Sequence, residues 1–218
     1  MKNNIQLQTD VMAELVWDPR VNEKEIRVAA SDGVVTLTGS VPTYADKWAA
    51  ERAAERVAGV QAVANDLAVA VPVPFRRSDT DIARAVVDAL TWDVQVPDTK
   101  IKSAVSNGWV TLEGDVAWAY ERDAAARAVR NLAGVRGLTN NIAITAKRVS
   151  SDDVSRSIKE ALERRAERTA EHINVKTADG VVTLTGSVPS FGDRRVAEGA
   201  AWSAPGVNEV RDELAVAF

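Results

Sequence analysis

One passage of this 218-residue chain occurs three times, and that repetition restricts the fold more than any single residue does. Ile26 to Val41 reads IRVAASDGVVTLTGSV, Ile101 to Val116 reads IKSAVSNGWVTLEGDV, and Ile173 to Val188 reads INVKTADGVVTLTGSV. Ile26, Ile101 and Ile173 lie 75 and then 72 residues apart, and the flanking sequence aligns at the same offsets. Leu7, Val11 and Leu15 fall on Ile82, Val86 and Leu90, then on Val154, Ile158 and Leu162. Gly59-Val60 falls on Gly134-Val135 and Gly206-Val207. Length alone suggests one or two domains. The repeats predict three small ones instead, over residues 1–73, 74–147 and 148–218.

Each unit reads as helix, two strands, helix, strand. The i, i+4, i+8 apolar positions define one face of an amphipathic helix. Asp79 or Thr80 and Ser151 or Asp152 are its cap candidates in the second and third copies. Asp32-Gly33, Asn107-Gly108 and Asp179-Gly180 favour positive φ at both positions, which suits a two-residue hairpin turn. In the following strand Val35 and Leu37, Val110 and Leu112, and Val182 and Leu184 are two apart and face the core.

Gly39, Gly114 and Gly186 close that strand in this reading. An Ala-rich helix follows, with Ala49, Ala53 and Val57 as its repeated face, then Ala124, Ala128 and Leu132, then Val196, Ala200 and Ala204. Gly59, Gly134 and Gly206 fit a left-handed helix C-cap. A crossover helix makes the second and third strands parallel. The expected class is α+β: three tandem αββαβ domains, each a three-stranded mixed sheet with two helices on one face. Domains this small bury only about 60% of their surface, so packing between units is expected to add stability.

Composition closes off several kinds of chemistry. Cysteine is absent and histidine occurs once, which leaves nothing for disulfides, thiolate metal sites or a His-centred triad. His172 falls on Glu25 and Lys100 in the other copies and reads as a surface residue. Asp152-Asp153 read as helix-start acids that favour the helix dipole. No nucleophile elbow or phosphate-binding loop occurs, so the expectation is no enzyme, no metal and no cofactor. Lys and Arg number 27 against 31 Asp and Glu, a net charge of −4 with no basic stripe, which argues against nucleic acid. Gly134-Val135-Arg136-Gly137 imitates a nucleic-acid-binding GxxG loop, but its counterparts lack the second glycine. Met1 to Gln6 carries no apolar leader and no stretch reaches the roughly 18 apolar residues of a spanning helix. The expected location is therefore cytoplasmic, or periplasmic where a native leader has been removed.

The run Asp32 to Val41, repeated at Asp179 to Val188 and in altered form at Asn107 to Val116, resembles the BON domain of bacterial osmotically inducible and nodulation proteins. The resemblance covers nearly the whole chain. It implies the αββαβ fold, binding to phospholipid surfaces or envelope partners, a link to osmotic stress, and no catalysis. The net charge of −4 gives no general attraction to anionic lipid, so membrane contact needs a local patch. Some BON-containing proteins bind potassium. A cytoplasmic protein–protein, small-ligand or ion-binding module is thus the alternative, and backbone carbonyls could hold such an ion.

Tryptophan supplies 6 of the aromatic residues, against 2 Tyr and 3 Phe. Trp17 and Trp92 share one position, where the third unit has Arg164. Trp109 replaces Val34 and Val181 on the non-core side of the hairpin, and Trp118 replaces Thr43 and Ser190. Trp48 aligns with Asp123 and Arg195, and Trp202 with Glu55 and Arg130. Positions that exchange tryptophan for charge are not shared core sites. They belong to contacts between units or between copies of the chain, or to a ligand or membrane surface. The candidate lipid or partner surface is Trp17, Trp92, Trp109 and Trp118 with Phe75, Arg76 and Arg77 of the proline-bearing linker. Arg164, Arg165 and Arg168 read as a solvated helix face.

Overall fold

The computed structural model describes residues 3–145, 151–165 and 173–216. His172 and Arg168 lie outside the described residues, as do the side chains of Arg164 and Arg165. The first unit runs α1 (Asn4–Trp17), β1 (Ile26–Ser31), β2 (Val34–Val41), α2 (Tyr44–Glu55) and β3 (Ala62–Val69). The second runs α3 (Asp79–Trp92), β4 (Ile101–Ser106), β5 (Trp109–Val116), α4 (Ala119–Arg130) and β6 (Gly137–Ile144). The third runs α5 (Ser151–Arg165), β7 (Ile173–Ala178), β8 (Val181–Val188), α6 (Phe191–Trp202) and β9 (Glu209–Val216). Each sheet has its middle strand antiparallel to the first and parallel to the third.

In the first unit Leu7, Val11 and Leu15 of α1 join Ala49, Ala50, Ala53 and Ala54 of α2 over Val35, Leu37 and Leu67 of the sheet. Both helices therefore lie on one sheet face, and the same arrangement recurs in the other two units. The hairpin turns carry positive φ at both residues, for example 51° at Asp32 and 81° at Gly33. In the first two units the first turn of the leading helix steadies them. Asn4 Oδ1 accepts from the Asp32 amide at 3.0 Å, and Asp79 accepts from the Asn107 and Gly108 amides at 2.8 and 2.9 Å.

Local details differ from the sequence reading. Ser78, not Asp79 or Thr80, caps α3, its hydroxyl accepting from the Asp81 amide; Asp79 is drawn instead to the hairpin. Gly39 does not close β2, which continues to Val41. Its φ of 120° and a Glu25 carbonyl oxygen 1.9 Å from where a Cβ would stand make it a close-approach site inside the strand. Gly59, Gly134 and Gly206 have positive φ but stand beyond the caps Arg56, Asn131 and Ser203, after a further turn. The face expected for α6 holds at Ala200 and, just beyond the helix, at Ala204, which are buried, but Val196 is exposed, and Ala197 and Ala201 are buried instead.

The three units close on one another head to tail. Tyr44 of the first packs on the core of the second, and Phe191 of the third packs on the core of the first. Ala119 is the equivalent residue of the second unit, and Trp202 of the third packs against that unit's core instead. Where the projecting aromatic shrinks to alanine, the facing side chain grows to tryptophan. The same helix surfaces of α2, α4 and α6 thus meet three times around a ring.

Candidate functional site

Two kinds of surface result, one facing outward and one facing the ring axis. On the outside, Trp17 and Trp92 end α1 and α3 and are 83% and 84% exposed. Val16 accompanies Trp17, and Val94 beyond Trp92 is 100% exposed. The helices stop there because the next residues, Asp18 and Asp93, turn extended. Asp18 is itself only 4% exposed and binds Arg20 and Arg56, while Arg56 also reaches Glu14 at 2.8 Å. The hydrogen bonds from the Arg20 side chain, aided by its backbone amide and by Arg56, hold the Asp18 carboxyl far below the usual carboxylate range despite burial. This fixes the backbone just after Trp17, so the indole projects from a rigid stem.

The remaining proposed residues do not form one patch with these. Trp109 lies across the uncovered sheet face: its Nε1 donates to Thr139 Oγ1 at 2.8 Å, and its ring covers Gly137. Phe75 is exposed, but the linker forms a short 3-10 turn, Val73–Phe75, closed by its own arginines. Arg76 Nε donates to the Val71 carbonyl, and Arg77 donates to the Pro74 and Arg76 carbonyls. Trp118 stands at the N-cap of α4, where Thr43 and Ser190 accept from the third residue of their helices. Lacking that oxygen, this unit uses Glu121, whose carboxylate accepts from the Ala117 and Trp118 amides. Trp118 stacks with Tyr120 at 6.5 Å and shares a hollow with Trp202 and Gly199 of the third unit, so it belongs to the junction.

At the axis, the positions that exchange tryptophan for charge face one another. Arg130 lies 3.7 Å from the centroid of the Trp48 ring, and Arg122 lies 4.6 Å from that of Trp202. Arg195 donates to Glu55, which also accepts from Arg52 at 2.9 Å, tying the third unit to the first. Tyr44 and Phe191 complete these contacts and were not singled out from the sequence. Their signal was an aromatic residue directly after the helix cap in two copies. Burial pushes the Tyr44 phenol above its ordinary value, beside Arg130 and the Leu138 backbone. Among the described residues no His, Asp and Glu cluster could hold a metal ion, and no helix is long and apolar enough to cross a membrane.

Comparison with known proteins agrees with the architecture. The family model of the BON domain matches residues 4–71, 78–146 and 150–217. A "21 kDa hemolysin" of Actinobacillus pleuropneumoniae is 30% identical over 132 residues, covering 59% of this chain and 68% of that protein. "Osmotically-inducible protein Y" of Escherichia coli K12 is 39% identical over 59 residues, 27% of this chain and 29% of that protein. Among solved structures, the C-terminal domain of CdsD, a structural protein of the type III secretion system of Chlamydia trachomatis, aligns over 100% of both chains at 15% identity. Its TM-score of 0.27 carries no weight for fold or function. With three matches that span almost all of its length, this chain belongs to the BON domain family.

Proposed function

We propose that the chain is a non-catalytic, stress-associated binding protein that attaches to phospholipid surfaces through the ends of α1 and α3. One observation carries this reading: Trp17 and Trp92, at the same position of two units, project almost wholly into solvent next to exposed valines. An indole between water and acyl chains keeps its N–H wet and its ring dry, the interfacial use of tryptophan. At about 25 cal/mol per Å2 and about 150–250 Å2 per ring, full insertion would contribute about 4–6 kcal/mol per tryptophan as an upper bound. The stress association is supported by the osmotically inducible relative, and the phospholipid ligand by the family resemblance.

The charge around Trp92 makes the reading specific. Asp88, Asp93 and Asp98 lie on or beside the end of α3, so attachment rests on apolar insertion and does not grow with the anionic lipid fraction. Co-sedimentation with neutral and anionic vesicles tests this. Pelleting with both, a blue-shifted tryptophan emission, and loss of both effects in Trp17→Ser/Trp92→Ser are expected. Absence of pelleting and of any emission shift would remove the lipid surface as the ligand.

A further inference from the structure

The cavity on the ring axis has a volume of about 560 Å3, within the range of small-molecule sites. All three units build its wall. Arg52 comes from α2, Arg122, Arg127 and Arg130 from α4, and Arg195 from α6. Asp123 and Glu198 are the carboxylates in the same wall. For a chain of net charge −4 this is a local reversal of sign.

The nearby carboxylates are already engaged. Glu55 takes Arg52 and Arg195, Asp123 takes Arg122 at 3.2 Å, Glu198 accepts from the Trp202 indole at 3.4 Å, and Glu51 accepts from Asn65 at 3.0 Å. Among the described residues, no carboxylate lies within ion-pair distance of Arg127 or Arg130. The Nε atoms of Arg52 and Arg130 are buried with no hydrogen-bond partner. Burial lowers the pKa of Arg130 and of Arg195, and the charge of Arg52 lowers both further. Stacking on Trp48 offsets part of this cost at Arg130, and an anion would offset more of it.

The cavity continues into a second hollow of about 560 Å3 that shares Tyr120, Asp123, Gly199 and Trp202 with it and is lined beyond them by Trp118 and Ala119. One end is guanidinium and the other is aromatic. We propose that the two hollows together bind a phosphate ester, its charged group among Arg52, Arg127, Arg130 and Arg195 and its organic part against Trp118, Tyr120 and Trp202. Guanidinium forks match phosphate oxygens in pairs, and indole and phenol faces accept a ring or an acyl stem. A nucleotide and a phospholipid headgroup share this chemistry.

Calorimetric titration of the full chain with ADP, soluble short-chain phosphatidylglycerol and pyrophosphate, at fixed ionic strength, tests the site. ADP or the lipid binds at one per chain and at least about tenfold tighter than pyrophosphate, and the tighter of the two names the source. Arg127→Gln removes an exposed arginine with no ion pair, so binding weakens about tenfold or more while the melting temperature stays within about 1 °C. Trp17→Ser/Trp92→Ser binds the phosphate ester as wild type does, which separates this site from the vesicle surface. No binding of any probe below about 1 mM, or wild-type affinity in Arg127→Gln, would overturn the proposal. Equal affinity for pyrophosphate and ADP or the lipid would overturn the place given to the organic part.

Discussion

Replacing Glu55 by Gln, Arg195 by Gln, and then both residues measures how strongly the third unit holds the first. The pair spans 140 residues of sequence, so it reports on closure of the ring and not on any local turn. Arg195 is 31% and Glu55 16% exposed. Exposed pairs contribute about 0.2–1 kcal/mol, and breaking one side of a buried pair costs about 3–5 kcal/mol. A partly buried pair lies between these limits, so Glu55→Gln should cost about 2 kcal/mol. It also strands Arg52, which loses the same carboxylate. For a chain of this length that loss corresponds to about 4–8 °C in melting temperature. Urea unfolding of the four proteins gives the coupling energy directly, with a value of about 1–2 kcal/mol expected. Coupling below about 0.3 kcal/mol, the usual scatter for independent sites, would refute the contact between first and third units.

Two further tests probe the units themselves. Gly137 pairs with Trp109, whereas the other copies pair Ala62 with Val34 and Glu209 with Val181. A Cβ on Gly137 would stand 2.3 Å from the Trp109 ring, so Gly137→Ala should lower stability by about 1–3 kcal/mol. Adding Trp109→Val should restore most of it in a urea-unfolding cycle; no restoration would mean that the indole is not the obstacle. Asp18→Asn should lower stability by about 3 kcal/mol at pH 7, since it breaks a buried carboxylate held by Arg20 and Arg56. The Asp18 carboxyl is depressed in the folded chain, so its contribution is complete above the unfolded value of about 4 and fades as pH falls below it. Unfolding curves of the two proteins should therefore converge under acid, and a gap that widened there would contradict the ion pairs.

Repetition made the fold legible. Three copies of one pattern located the helices, the hairpins and the parallel third strand, because apolar spacing and Asp-Gly or Asn-Gly turns act locally. Trp48 and Trp202 were legible only as residues outside a common core, in a contact or on a ligand or membrane surface, because a site that is tryptophan in one copy and charged in the others cannot be a shared core position. Their partners were not legible. That Arg130 stacks on Trp48 while Arg195 reaches Glu55 depends on how rigid units pack across long stretches of chain, and no periodicity encodes it. The misplacement of Gly39 has a similar origin. A glycine in a strand reads as its end, but here a Glu25 carbonyl approaching from the neighbouring segment demands it. Trp17, Trp92, Trp109 and Trp118 looked alike in sequence. The structure separates them by what lies beneath: solvent for the first two, a sheet face for Trp109, and a neighbouring unit for Trp118.

Ring closure sets this separation, turning Trp48 and Trp202 toward the axis and leaving Trp17 and Trp92 outside. Its most direct test is the radius of gyration in solution by small-angle X-ray scattering. A single closed body of this length should give about 17–18 Å. Three independent units strung end to end, each with a radius of gyration of about 11 Å, should give about 26 Å. The smaller value, unchanged on dilution, is the result the ring predicts, and a value near the larger one would contradict it.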